Sequence, residues 1–424
     1  MPRTAQRRRD ARTIVVVGAV HGTSHFGQLL LAPLFPWIRD AFALSYAELG
    51  LLMTVFYVVS GVCQAGAGFL VDRVGAVRVL LGALGLYAIS ALGLATSQSY
   101  AALMLFAALG GLANSPFHPI DFSILNARVA PTRLGHAYAV HGVSGNLGWA
   151  VAPVFLVSIA SAFGWRVALA ACALVFAGAW TLAWWHRHEL AGRDAAGDAL
   201  REAPGPAGPA AAAPPGERAL EPALSGGFAF LRLPAVWMSF GFFFAAAGAL
   251  SGVQSFAPEA ARQLHGVPIA MVAACLSAYM LAGAGGMIFG GFIASDPSRA
   301  ERMITFGFGS AAVLAMLVGV VSWPGWMIPV LFALIGFGTG TAGPSRDLLV
   351  RRATPPGATG RVYGMVYSGL DAGAAIAPAI FGALMDAAHP GAVWVGIAAF
   401  QALIIVGALN VGRVTSARAV VPSA

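Results

Sequence analysis

The sequence Gly-Trp-Ala-Val-Ala-Pro at residues 148–153 recurs in modified form as Gly-Ala-Ala-Ile-Ala-Pro at residues 373–378. The two GxxxAP strings are separated by 225 residues. The same separation relates five further pairs, which are Gly111 with Gly336, Pro119 with Pro344, Pro131 with Pro356, Gly135 with Gly360 and Tyr138 with Tyr363. A constant separation over such a length predicts two halves that share one topology.

The composition indicates which solvent surrounds these halves. Of the 424 residues, 58% are hydrophobic and only 10% are charged, and the mean hydropathy is +0.77. Soluble globular proteins carry about 25% charged residues, so this chain has too little charge to cover a water-facing surface. One membrane-spanning helix needs roughly 20 apolar residues, and the chain is long enough for about a dozen of them.

The apolar residues fall into two groups of segments on either side of one long polar stretch. The segments are 13–34, 46–70, 78–96, 101–125, 136–160, 166–185, 236–256, 268–294, 303–321, 325–345, 362–386 and 391–412. The polar stretch at 187–227 is rich in Pro and Ala and has no apolar periodicity, which predicts a flexible cytoplasmic linker. We therefore expect an all-α membrane protein with twelve transmembrane helices in two pseudo-symmetric six-helix bundles, at residues 1–186 and 228–424.

The basic residues are distributed asymmetrically between the loops, and all 25 of them are arginines. If the N-terminus is cytoplasmic, the opposite side of the membrane holds only Arg39, Arg166 and Arg262. Cytoplasmic loops carry an excess of basic residues, so both termini are predicted to be cytoplasmic. The all-arginine usage and the short loops favour a bacterial inner membrane, with the lipid bilayer and not a nucleic acid as the partner.

Three of the segments that connect the apolar stretches combine glycine or proline with charged residues. They read GFLVDRVGAVR at 68–78, GFIASD at 291–296 and RVAPTRLG at 128–135. These loops resemble the signature loops of the major facilitator superfamily of transporters, and with the twelve segments and the repeat the resemblance covers nearly the whole chain. It implies that superfamily's fold, with two parallel repeats about an axis along the membrane normal and transport by alternating access.

In the superfamily, the loop equivalent to 68–78 latches the two halves at the cytoplasmic side and releases as they rock. Gly75 permits a tight turn, and Asp72 can meet the positive end of a helix N-terminus. Arg73 and Arg78 hold the loop on the cytoplasmic side. We therefore expect these four residues to belong to a cytoplasmic gate; the alternative is that the loop only anchors the topology.

The first apolar segment contains His21, His25 and Gln28. The two histidines are four residues apart, so they share one helix face. Ionisable groups inside a membrane helix are costly and usually face a cavity, and the resemblance implies that the first helix lines one. We expect substrate contact or proton relay, with a hydrogen-bonded packing pair as the alternative.

The fourth segment contains Asn114, His118, Pro119 and Asp121. Pro119 removes a backbone hydrogen bond and is expected to kink or unwind this helix. At the 225-residue separation, Asp121 corresponds to Arg346, which is followed by Asp347. We expect Asp121 and Arg346 to pair across the two halves when the cytoplasmic side is closed, which would make Asp347 part of the same gate.

The alternative is pairing inside each half, with Asp121 on Arg128 and Asp347 on Arg351. The string Phe117-His118-Pro119 also resembles that of bacterial fosmidomycin-resistance-type exporters, from which no substrate is inferred.

The eleventh segment contains Asp371 about ten residues from its start, or roughly 15 Å along a helix, and its other carboxylate, Asp386, is its last residue. No charged residue lies nearby in the sequence, and its counterpart in the repeat is Asn146. Burial of a lone carboxylate favours its neutral form, so Asp371 is predicted to carry a coupling proton, with Asp121 as the second candidate. A cation-substrate anchor and a structural hydrogen bond are the alternatives.

These observations predict a secondary active transporter that moves a small organic molecule by alternating access and is coupled to protons, as a symporter or an antiporter. The candidate substrate-binding residues are His21, His25, Gln28, Asn114, His118, His141, Asn146 and Gln254. Histidines and Arg346 fit a small organic anion, whereas Asp371 and the aromatic run at 240–244 fit the export of toxic or drug-like compounds. A third possibility is a membrane sensor that does not transport.

Several other classes are disfavoured. The chain contains no GxxxxGK[ST] loop for ATP and no HExxH or GxSxG string, so we expect neither ATP-driven transport nor an enzyme. The three cysteines lie in apolar segments without metal-binding spacing, so no metal and no cofactor are expected. Because one chain holds both halves, a monomer is predicted.

Overall fold

The computed structural model describes residues 3–191, 234–293, 300–353 and 359–419, with side chains at 6–191, 236–292, 302–343 and 368–407. These residues form helices joined by short connections, and no β-strand occurs among them. Twelve helical stretches of the described chain are long and apolar enough to cross a membrane. The predicted fold class is thereby confirmed. The predicted linker lies almost wholly outside the described residues.

The first half contains six membrane spans and several short helices. Its helices are α1 Arg3–Gln28, α2 Phe35–Phe42, α3 Tyr46–Val74, α4 Ala76–Thr96, α5 Tyr100–Asn114, α6 Phe117–Arg128, α7 Leu134–Phe163, α8 Trp165–Trp185 and α9 Arg187–Ala191. Single 3-10 turns occur at Ala32–Leu34 and Pro131–Arg133. The short helix α9, at the start of the predicted linker, packs against the bundle through the buried Leu190.

The second half repeats this arrangement. Its helices are α10 Pro234–Ser255, α11 Ala257–His265, α12 Ile269–Ile293, α13 Ala300–Val320, α14 Ile328–Ala353, α15 Thr359–Asp386 and α16 Pro390–Ala419, with a 3-10 turn at Gly325–Met327. The short helices α2 and α11 hold equivalent places, since each connects the first and second spans of its half.

Helix packing follows the same scheme in both halves. In the first half α1 packs on α7, α3 on α5 and α4 on α8. The equivalent pairs of the second half are α10 with α15, α12 with α14 and α13 with α16. The halves meet along α3 with α15 and along α7 with α12, two contacts that a pseudo-twofold axis would exchange.

The repeated GxxxAP string has a packing role that explains its presence in both halves. A Cβ at Gly148 of α7 would overlap the carbonyl oxygen of Gly22 in α1. A Cβ at Gly373 of α15 would overlap the carbonyl oxygen of Phe244 in α10. Small residues allow membrane helices to approach this closely, so the two glycines set the same helix crossing twice.

The connection after α3 turns at Gly75, as predicted. Its φ of +95° is a conformation that only glycine adopts without strain, and it joins α3 directly to α4. At the other end of α3, Ser45 and Glu48 form a capping box, with Ser45 accepting from the backbone N–H of Glu48. The helix is therefore fixed at both ends by its own sequence.

The fourth span is interrupted, although the interruption is displaced from the predicted position. The helix breaks at Ser115 and Pro116, between α5 and α6, and Pro119 lies in the first turn of α6. A proline is tolerated there because the first N–H groups of a helix have no intrahelical acceptor. The break places His118 and Asp121 at the start of a new helix.

Candidate functional site

A cavity of about 230 Å³ lies between the two halves and is called the central cavity here. The first half contributes a mostly polar wall, formed by His25, Gln28, Tyr57, Gln64, Asn114, His118 and Trp149. The second half contributes a mostly apolar wall from α10 and α15, with Ser251, Gln254 and Asp371 as its polar groups. The cavity therefore presents different chemistry on its two sides.

The polar wall is held in place by side-chain hydrogen bonds between five helices, α1, α3, α4, α5 and α7. Gln28 Nε2 donates to Asn114 Oδ1 at 3.1 Å, and Trp149 Nε1 donates to Gln28 Oε1 at 3.0 Å. Asn114 Nδ2 donates to Ser60 Oγ at 2.8 Å, and the hydroxyl of Tyr87 donates to Asn114 Oδ1 at 2.9 Å. Because these amides are already oriented, this wall needs little ordering when a ligand binds.

Among the side chains that the structure describes, Asp371 is the one carboxylate that lines the central cavity. It is half-buried on α15 and packs tightly against α3, since a Cβ at Gly61 would lie 2.6 Å from Asp371 Cβ. Within the side chains that the structure describes, Asp371 makes no hydrogen bond or ion pair. An anion at this position would therefore have no described cation to balance it.

Asp121 lies behind the polar wall and does not line the cavity. Its side chain is 1% exposed, and its Oδ2 lies 2.8 Å from His21 Nδ1 and 3.2 Å from His141 Nε2. The alternative partner Arg128 instead donates to the backbone carbonyl of Glu189 at 2.7 Å, so pairing of Asp121 with Arg128 is wrong. The side chain of Arg346 lies outside the described residues, and the pairing across the halves stays a prediction.

His25 and His118 lie between this carboxylate and the cavity. The ring centroid of His21 is 4.4 Å from that of His25 and 5.5 Å from that of His118. Four histidines and one aspartate from α1, α6 and α7 are thus collected at one place.

The remaining predicted binding residues occupy different positions. Asn146 donates to the carbonyl of Gly142 at 3.0 Å and points toward Met287 Sδ at 3.4 Å, on the contact between α7 and α12. Gln254 lines the cavity and is 4% exposed, and its Nε2 has no partner among the described residues.

The predicted gate residues Asp72, Arg73, Gly75 and Arg78 are exposed around the turn between α3 and α4, at one face of the bundle. Arg78 Nη1 reaches back across the turn to the carbonyl of Val74 at 3.5 Å. Arg346 and Asp347 belong to α14, but their side chains lie outside the described residues, so their part in the gate stays a prediction.

The opposite face carries a contact between the halves that the sequence did not predict. Asp386, the last residue of α15, accepts from the backbone N–H groups of Tyr46 and Ala47 at 2.7 and 2.8 Å. It therefore caps the N-terminus of α3, which belongs to the other half, where the helix dipole favours a negative charge.

A second contact at this face involves α11. Glu259 accepts from the hydroxyl of Tyr46 at 3.0 Å and from Arg262 at 2.7 Å. The hydrogen bonds from Arg262 to the Glu259 carboxylate raise the pKa of the arginine above its ordinary value. Together with the Asp386 cap, these bonds close this face, which we call the closed face.

Sequence reasoning missed part of the site for identifiable reasons. Gln64 is a polar residue in an apolar helix. Because polar groups in membrane helices usually face a cavity, it could have been predicted in the same way as Gln28. Tyr57 and Trp149 were missed because aromatic residues in a membrane helix are indistinguishable from packing residues. The acidic residues Asp386 and Glu259 were missed because they lie at helix ends, where charge is ordinary.

Comparison with known proteins agrees with a transporter fold of twelve membrane-spanning helices. A sequence model described as Major Facilitator Superfamily matches residues 17–378. The MFS-type transporter YfnC of Bacillus subtilis is 27% identical over 168 residues, which are 38% of this chain and 41% of that protein. The fosmidomycin resistance protein of Escherichia coli is 29% identical over 171 residues, which are 38% of this chain and 41% of that protein.

These matches therefore span about two fifths of the length of either relative. A crystal structure of the nucleoside transporter NupG covers 95% of this chain and 99% of its own, with a TM-score of 0.73 at 14% identity. At that identity the likeness shows the fold alone.

Proposed function

The chain belongs to the major facilitator superfamily, and we propose that it is a proton-coupled secondary transporter that carries a small organic molecule through the central cavity by alternating access. The observation that carries this proposal is the position of Asp371, which faces an ordered polar wall from the opposite half across one cavity. Both halves contribute to the site, so relative motion of the halves changes it.

The coupling proton is assigned to Asp371. Burying a carboxylate anion without a partner costs several kcal/mol or more, and protonation removes that cost. A proton taken up from one side would let α3 and α15 pack at Gly61, and its release to the other side would favour their separation. The second sequence candidate, Asp121, already contacts two histidines inside one half, and we do not assign the proton to it.

The two walls favour an amphipathic substrate. Amide and imidazole groups of the first half fit the polar edge of a small organic molecule, whereas Ala246, Leu250 and Leu370 fit an apolar face. Export of toxic or drug-like compounds is the second candidate. It is favoured by the apolar wall with a single acid, and by similarity to a protein named for fosmidomycin resistance.

The arginine distribution supports a location in a bacterial inner membrane with both termini in the cytoplasm. In that orientation the closed face is periplasmic, and the loop with Arg73 and Arg78 is cytoplasmic. Transport then requires the bonds of Asp386 and Glu259 to break while contacts form at the other face.

Substrate exchange in liposomes tests this function. Purified protein would be reconstituted with a panel of organic anions, organic cations and neutral drugs, and counterflow of each labelled compound would be measured without any ion gradient. Exchange of at least one class above protein-free liposomes is expected. Saturable binding without exchange would instead indicate a sensor, and neither binding nor exchange would contradict the proposal.

The combined change Arg73→Ala and Arg78→Ala is expected to slow turnover and leave substrate affinity nearly intact. Both residues are exposed on the loop, away from the cavity. Exposed charge contacts contribute up to about 1 kcal/mol each, and two of them correspond to a fall in exchange rate of up to about 30-fold. The measurement is counterflow rate and equilibrium binding side by side, with Arg8→Ala, an exposed arginine of α1, as the control. Loss of binding would mean that the loop shapes the site.

A further inference from the structure

Asp121, His21 and His141 form a cluster that does not line the central cavity, and His25 lies between this cluster and the cavity. Asp121 is 1% exposed, His21 2%, His141 8% and His25 9%. A buried carboxylate is normally paired with a cation, yet its described partners are the imidazoles of His21 and His141. In the described part of the chain, no arginine forms an ion pair with it.

The donor atoms already have the spacing of a metal site. His21 and His141 each offer one ring nitrogen and Asp121 one carboxylate oxygen, and these three atoms all lie within 4.8 Å of one another. With metal–ligand bonds of about 2.0–2.1 Å, the donor atoms of a tetrahedral site are about 3.3 Å apart. The observed 2.8 and 3.2 Å contacts to Asp121 need to widen by only a few tenths of an ångström.

His25 supplies an independent observation at the same place. Neither of its ring nitrogens has a hydrogen-bond partner among the described residues, although the ring is buried. The backbone leaves room for it, because a Cβ at Gly145 would lie 2.8 Å from His25 Cε1 and 3.1 Å from His21 Nε2. His25 is therefore a buried imidazole without a described side-chain hydrogen-bond partner, beside two other histidines.

The cluster is next to the central cavity. His25 and His118 both line the central cavity, and both rings lie near that of His21. A cation in the cavity would therefore meet imidazole nitrogens at its wall before it reached the carboxylate behind them.

We propose that His21, Asp121 and His141 bind a divalent transition-metal cation of the Zn²⁺ class, with the buried imidazole of His25 next to the site. Two imidazoles and one carboxylate suit Zn²⁺ and its neighbours, whereas the all-oxygen sites of Mg²⁺ and Ca²⁺ do not use imidazole. This revises the prediction that the chain has no metal site. It does not rest on proton coupling, because binding is measured without transport.

Cobalt substitution tests the site. The full-length protein would be purified in detergent with an affinity tag free of histidine, and Co²⁺ would be titrated while its visible absorption is recorded. One saturable Co²⁺ per chain is expected, with the band intensity of four- or five-coordinate cobalt, and Zn²⁺ should displace it. His21→Asn and Asp121→Asn should each weaken binding at least about ten-fold.

His389→Asn is the matched control, since His389 is an exposed histidine outside the cluster, and it should bind as the unchanged protein does. Size-exclusion profiles and thermal unfolding would establish that each variant is folded, and His141→Asn replaces any variant that is not. The proposal is overturned if no saturable binding occurs, or if binding is equally strong in the cluster variants and the control.

Discussion

Asp371→Asn is expected to abolish accumulation driven by a pH gradient while substrate exchange without a gradient persists within a few-fold. Asparagine keeps the size of the side chain and its packing against Gly61, but it cannot take up and release a proton. A carrier whose cavity no longer changes charge can still exchange substrate, and it loses the link to the proton gradient. The measurement is gradient-driven accumulation and counterflow of the compound that the exchange panel identifies.

The control for this change is Asp40→Asn, an exposed carboxylate of α2. It should accumulate substrate as the unchanged protein does. If Asp371→Asn accumulates substrate normally, the proton is carried elsewhere and Asp371 has a structural role. If exchange is lost as well, Asp371 anchors the substrate.

Gly50→Ala is expected to shift the protein away from the conformation in which the closed face is shut. A Cβ at Gly50 of α3 would overlap the carbonyl oxygen of Pro378 in α15. Nearby, Thr54 Oγ1 donates to the carbonyl of Ala375 at 2.6 Å. The backbones of α3 and α15 are therefore in close contact here, with no room for an added methyl group. Overpacking costs about 1–3 kcal/mol, which corresponds to a population shift of about 5- to 150-fold.

Spin labels would report this shift. With Cys63, Cys172 and Cys275 replaced, cysteines at Gln98 and Ser322 place one label on the closed face of each half. The distance between them should lengthen in Gly50→Ala. The matched control is Gly66→Ala on the same helix, where a Cβ would meet nothing within 4 Å; an identical shift in both variants would contradict the account.

The sequence contained enough information for the fold because each half repeats its packing determinants. Hydropathy alone located the twelve spans. Gly148 and Gly373 occur in equivalent strings because each allows a close helix crossing, so the repeat could be read without any tertiary information. The helix break was displaced because Pro116 and Pro119 are too close in sequence for the pattern to distinguish which one begins the new helix.

The candidate site was predictable only in part. His25, Gln28, Asn114, His118 and Gln254 line the cavity, because a polar group in a membrane helix has few other favourable places. Contacts between distant segments could not be derived in this way.

The Asp121 cluster is such a case. His21 and Asp121 are 100 residues apart, and the sequence pattern offered arginines as the obvious partners. Their contact depends on the rotation of α1 against α6, which no local pattern specifies.

The most direct test of the account is proton movement during transport by the unchanged protein. Liposomes holding the protein and an internal pH dye, initially without a pH gradient, would be exposed to each compound of the panel. The account predicts a pH change triggered by the transported compound, and its sign would distinguish symport from antiport. Movement of the labelled compound with no pH change would contradict proton coupling and leave a uniporter or a transporter that uses another ion.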